Sequence, residues 1–233
     1  MAQPPDINET FVREVEENLR RDQMRDFAKK YGGWLIAALV LFLAASGGYI
    51  YWQHRQAQQS EQQVEQLAEV YKNIGAGNMA GAPQKLDELA ANGSKAVRAS
   101  ALFTRAAIAI QANDLKLATA KYRDVASDEG LPKPYRDIAL IRQTTLEFDQ
   151  LKPEEVISRM APLAKPGNAW FGSAGELTAV ALIKQGKNQE AGRLYAAIAK
   201  DNAVPDTIRA RSVQIASSLG VDASSEIGLA PAQ

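Results

Sequence analysis

"LATAKYRDVASDEGLP" (residues 117–132) and "EAGRLYAAIAKDNAVP" (residues 190–205) follow one pattern, 73 residues apart. At that offset Ala118 matches Ala191, Tyr122 matches Tyr195, Val125 matches Ile198 and Pro132 matches Pro205. Residues i, i+4 and i+7 share one face of a helix, so each triple is predicted to point inward. Two further triples complete the series: Ala82/Leu86/Leu89 and Val156/Met160/Leu163. The first members of the four are 36, 38 and 35 residues apart.

The surroundings repeat as well. A first helix is predicted to end near Gly77, Asn113, Leu151 or Gly186, and a second helix carrying the triple starts a few residues later. Asn92-Gly93, Pro132 with Pro134, Pro166-Gly167 and Pro205 then close the units. Small residues at Ala106 and Ala179 let the paired helices approach closely, and Thr144 stands at the equivalent place in the third unit. Strand-type alternation is lacking. A helix–turn–helix period near 34 residues marks the tetratricopeptide repeat, and the units resemble it with small insertions. The expected fold is all-α: a tetratricopeptide-like helical-repeat solenoid of about four units, closed by a capping helix near Asp206–Leu219.

Outside the repeats, residues 31–52, "YGGWLIAALVLFLAASGGYIYW", contain no charge. Twenty-two residues at about 1.5 Å rise span roughly 33 Å, which matches a bilayer core. Tyr31 and Trp34 stand at one end and Tyr49, Tyr51 and Trp52 at the other, as interfacial aromatics do. A single transmembrane helix is expected. The leader is too long and the apolar run too extended for a cleaved signal peptide. Arg13, Arg20, Arg21, Arg25, Lys29 and Lys30 precede the span, whereas only Arg55 follows it closely. This asymmetry predicts a cytoplasmic N-terminus and residues 53–233 on the far side.

The expected layout is therefore a cytoplasmic leader over 1–30, the membrane span over 31–52, the repeat domain over 53–219 and a disordered tail over 220–233. In the leader Phe11, Val15, Leu19 and Phe27 form an apolar stripe. It suits a docking helix or one lying in the membrane interface.

Charge and chemistry narrow the function. The chain has 27 basic and 27 acidic residues, so nothing draws it toward nucleic acid. It has no cysteine and one histidine, His54, which removes the commonest nucleophile–base pairs and most zinc sites. The adjacent acids Asp87/Glu88, Asp128/Glu129 and Glu154/Glu155 diverge by about 100° on a helix and make poor catalytic pairs. A Gly-rich phosphate loop is missing too. No cofactor, metal or catalytic residue is expected.

The first helices of a solenoid line its concave face. With Ala106, Thr144 and Ala179 in equivalent positions, Phe103, Ile110, Ile141, Phe148, Val180 and Ile183 are predicted on that side. Two readings stay open: a groove for an extended apolar segment or partner helix, or contacts between neighbouring repeats.

The leader "FVREVEENLRRDQM", a single span ending "YWQ" and four weak tetratricopeptide-like units together resemble the YfgM-like bacterial inner-membrane proteins, over nearly the full length. That resemblance implies an ancillary subunit of the Sec translocon. Its repeat domain would be periplasmic, near a membrane-anchored periplasmic chaperone of the peptidyl-prolyl isomerase type. The alternative is an independent holdase-type chaperone for exported chains.

Overall fold

The computed structural model describes residues 7–223; of the side chains before Ile36 it describes Arg21, Met24, Lys29, Lys30, Tyr31 and Trp34. The apolar stripe of the leader and the last ten residues lie outside the described residues. Among the described residues all regular structure is helical: α1 (Ile7–Gly75), α2 (Ala82–Asn92), α3 (Lys95–Gln111), α4 (Leu115–Ser127), α5 (Lys133–Glu147), α6 (Pro153–Met160), α7 (Phe171–Lys184), α8 (Asn188–Lys200) and α9 (Asp206–Ser218). The chain divides into two compact units, residues 1–61 and 62–233.

The first unit is the greater part of α1. Among its described residues none is buried. Trp34, Leu41 and Phe42 are 79%, 70% and 68% exposed, and Tyr31, Tyr49, Tyr51 and Trp52 are exposed as well. Water tolerates no apolar surface so continuous on a monomer, whereas lipid does. By length and composition this is the one helix among the described residues able to cross a membrane. The polar groups within it are satisfied locally: Ser46 Oγ donates to the Phe42 carbonyl at 2.7 Å. At the ends, Lys30 Nζ lies 5.6 Å from the Tyr31 ring centroid and the Arg55 guanidinium 5.9 Å from that of Tyr51. Cationic heads are thus set beside interfacial aromatics.

In the second unit the helices alternate as first and second members of pairs. The end of α1, then α3, α5 and α7, are first helices; α2, α4, α6 and α8 are second helices. All twelve residues of the four triples are buried, none more than 5% exposed. Ala106, Thr144 and Ala179 are fully buried as well. Burying each of the larger members is worth about 1.5–3 kcal/mol. The core is therefore built of one recurring pair contact rather than one central cluster.

The turns follow from capping chemistry. The helices α3 and α7 end with Asn113 (φ 58°) and Gly186 (φ 75°) in the left-handed region. At α3 the N–H of Asp114 donates to the Ala109 carbonyl (2.8 Å) and that of Asn113 to Ile110 (2.9 Å). At α7 Lys187 donates to Leu182 and Gly186 to Ile183, both at 2.9 Å. This is the Schellman arrangement, and Gly77 and Gly220 close α1 and α9 in the same way. Asp114 then caps α4, accepting from the Leu117 N–H at 3.0 Å. A side chain at Gly186 has room but not the right backbone. Gly186→Ala is expected to cost about 1 kcal/mol through left-handed strain alone, read as a lowered melting temperature.

The third unit departs from the others. Leu151 makes no left-handed turn, and α6 ends at Met160. Leu163 therefore lies beyond the helix expected to carry it. Pro162 offers no N–H and its ring obstructs helix continuation. Leu163 is nevertheless buried, its N–H bonded to the Met160 carbonyl at 2.8 Å.

A clamp compensates for the short α6. Glu147, at the end of α5, accepts from Arg159 of α6 (2.5 Å), Arg123 of α4 (2.9 Å) and Gln143 (3.2 Å). A carboxylate at a helix C-terminus opposes the dipole, and the two guanidinium groups offset that. Burial pushes the Glu147 carboxyl upward, but the bonds from Arg159 and Arg123 outweigh it and hold it below its ordinary value of 4.5. A depressed carboxyl stabilises the fold above its unfolded pKa and loses that contribution as pH falls through the folded value. Glu147→Gln is expected to cost about 1–2 kcal/mol at neutral pH. The gap between wild-type and variant melting temperatures should close on acidification below about pH 4.

The chain beyond Leu219 differs from expectation. Val221 and Ala223 pack on the last core cluster, with Ala223 fully buried. The proposed tail boundary at 220 thus falls inside packed chain.

Candidate functional site: a groove between first helices

The first helices α5 and α7 and the capping helix α9 leave a groove of about 670 Å³ along their shared side. Its apolar wall is Ile141 and Phe148 from α5 and the following turn, Leu177 and Val180 from α7, and Ile215 from α9. These helices face one another because the second helices occupy the other side of the stack. Ile141 is buried and Val180 exposed at 36%, so the wall runs from core to solvent.

The polar groups of the groove are mostly engaged. Arg211 grips Glu176 with both forks, Nε to Oε1 at 2.7 Å and an Nη to Oε2 at 2.6 Å. Lys184 Nζ donates to Asp149 at 2.8 Å and stands 4.6 Å from the Phe148 ring centroid. The Thr145 hydroxyl is spent on the Ile141 carbonyl at 2.9 Å. Tyr195 closes the base from α8. Burial raises its phenol above the ordinary 10.0, and the Glu176 charge adds to this against Arg211, so it stays protonated at neutral pH. The outcome is an apolar slot with paired charges on its rim. It is suited to holding an apolar segment, with no nucleophile–base pair at hydrogen-bond distance.

Of the six residues expected on the concave side, Ile141, Phe148 and Val180 come together in this groove. Phe103 does not. Its ring packs on Tyr122, centroids 5.9 Å apart, between two core clusters. Ile183 packs on the cluster around Phe171 and Tyr195. Ile110 is 39% exposed and lies outside the groove.

Sequence reasoning missed Leu177, Ile215, Tyr195 and the Glu176–Arg211 pair. One signal was available. Links between successive first helices join residues about one repeat apart: Tyr71 with Thr104 at a separation of 33, Asp149 with Lys184 at 35, Glu176 with Arg211 at 35. Opposite charges at the repeat period mark the groove rim. The adjacent acids serve as ion-pair and hydrogen-bond partners: Asp87 meets Arg105 and Lys121, Asp128 meets Arg98, Glu155 meets Arg159, and Glu154 accepts from Gln185. His54 is exposed and stands 3.4 Å from the Gln58 amide.

Stacked helix pairs with an open apolar groove define a helical-repeat protein of the interaction class. The chain belongs to the tetratricopeptide repeat-like domain family, which matches it over residues 25–215. Neither a curated protein nor a solved structure matches the chain.

Proposed function

We propose that this chain is a non-enzymatic, membrane-anchored interaction scaffold. Its repeat domain holds a protein partner in the α5–α7–α9 groove, and α1 ties it to the bilayer. The observation that carries the reading is the apolar groove in a tetratricopeptide-like domain on the same chain as a lipid-competent helix. Tetratricopeptide-like domains generally work as interaction modules. The basic residues before the span favour a cytoplasmic N-terminus with the repeat domain in the periplasm. The resemblance of the leader, span and repeat layout to YfgM-like proteins supports a finer reading. In it the chain is an ancillary subunit of the Sec translocon in the bacterial inner membrane, linking the channel to a membrane-anchored periplasmic chaperone.

Co-purification tests this. Tagged full-length protein is extracted in mild detergent and its companions are identified by mass spectrometry. Translocon subunits and a membrane-bound chaperone are the expected companions. Recovery of assorted exported chains alone, with suppression of aggregation of unrelated proteins, would sink the scaffold reading in favour of a holdase acting alone.

A further inference from the structure

We propose that the Tyr195 hydroxyl, at the base of the α5–α7–α9 groove, selects the groove's occupant: an uncharged, extended peptide segment that presents a free backbone carbonyl to it. This rests on the reading of the groove as the docking site.

Tyr195 reaches the groove from α8. It belongs to one core cluster with Ala179 of α7 and Ala216 of α9, both fully buried, and it also lines the groove. The residue is only 2% exposed. The charges that act on its hydroxyl are those of Glu176 and Arg211, both groove residues, so the polar end of the side chain is the end turned toward the groove. Both carboxylate oxygens of Glu176 are held by Arg211. Among the described residues the Tyr195 hydroxyl makes no hydrogen bond.

The second unit shows the same position satisfied. Tyr122 matches Tyr195 at the 73-residue offset. Its hydroxyl accepts from Arg142 Nη1 at 3.5 Å, the Arg142 guanidinium stands 6.0 Å from the ring centroid, and the Phe103 ring packs on it at 5.9 Å. At the same offset Arg142 becomes Ile215 and Phe103 becomes Glu176. Ile215 has no polar atom in its side chain, and Glu176 is spent on Arg211. The fourth unit therefore keeps the tyrosine and lacks both of its covers, where the first helices leave an apolar groove.

The chemistry of the occupant follows. The phenol is protonated at neutral pH and has one donor to give. A wholly apolar face laid over it would bury that donor unpaired, which costs more than a made bond contributes. The interior carbonyls of a helix are already bonded to its own N–H groups. An extended segment brings carbonyls that still need a partner. The rim charges are matched, Lys184 to Asp149 and Arg211 to Glu176, so the groove asks for no charge on what it holds.

The test uses full-length protein in lipid nanodiscs, with empty nanodiscs as the baseline. The probe is fluorescein-labelled KVIVIVK, a β-prone peptide, titrated by anisotropy. A companion set replaces one peptide bond at a time by an (E)-alkene, which keeps the shape and removes the carbonyl. Tyr195→Phe removes the hydroxyl and keeps the ring, so its melting temperature should match wild type. It should bind the parent peptide about fivefold more weakly. In wild type one alkene replacement should weaken binding by a similar factor, and in Tyr195→Phe that replacement should cost nothing further. Unchanged affinity of Tyr195→Phe, or additive losses at every bond, would overturn the proposal. So would a lowered melting temperature of Tyr195→Phe, which would place the hydroxyl's partner inside the fold. Failure of wild type to bind KVIVIVK would overturn the extended occupant, and tighter binding of a lactam-bridged helical peptide of the same composition would replace it by a helix. The docking reading is tested apart: loss of partner capture by Val180→Asp would keep the groove as the docking site whatever Tyr195 does.

Discussion

Phe103→Ser is expected to lower the stability of the repeat domain by about 3 kcal/mol, at the lower end of the range for truncating a buried aromatic because the ring is only half-buried. The ring bridges two core clusters and packs on Tyr122, which is itself 2% exposed. Serine leaves a cavity between α3 and α4 and places a hydroxyl against apolar neighbours. For a domain of this size the melting temperature should fall by about 6–12 °C. A melt of full-length protein in detergent reads it directly. An unchanged melting temperature together with lost partner binding would instead put Phe103 on a binding surface, the role its position on a first helix suggests.

The second large effect is on binding. Val180→Asp introduces a carboxylate into the groove beside Asp149 and Glu176, whose own charges are already matched by Lys184 and Arg211. Val180 is exposed enough that the fold should lose no more than about 0.5 kcal/mol. An apolar partner segment would then meet an unpaired charge at the centre of its contact, which should weaken capture at least about tenfold, or about 1.4 kcal/mol. Phe148→Ser should act in the same direction with a moderate stability cost, because its ring also packs on the third-unit core and lies under Lys184. The readout is the yield of partners in the detergent co-purification against wild type, with the melt of each variant alongside. Undiminished capture by a folded Val180→Asp protein would remove the groove from the binding reaction.

Among the described residues the triples were legible because helix periodicity and burial are local matters: a residue four or seven places along the same helix face shares its fate. The turns at Asn113 and Gly186 were legible for the same kind of reason, since few residues adopt the left-handed conformation at low cost. The helix able to cross a membrane was legible through its length and lack of charge, which are what a bilayer demands. The tertiary structure decided what the period alone left open. Phe103 and Ile141 occupy equivalent places on successive first helices, three residues before Ala106 and Thr144, yet Phe103 packs against Tyr122 while Ile141 lines a groove. The facing second helices differ there: α4 buries Tyr122, whereas the short α6, ending before Pro162, buries Met160 and is tied to α5 by the Arg159–Glu147 bond. The groove exists because α5, α7 and α9 meet across repeats, through contacts some 35 residues apart. Periodicity along a helix fixes which face is buried; only packing between helices fixes what that face meets.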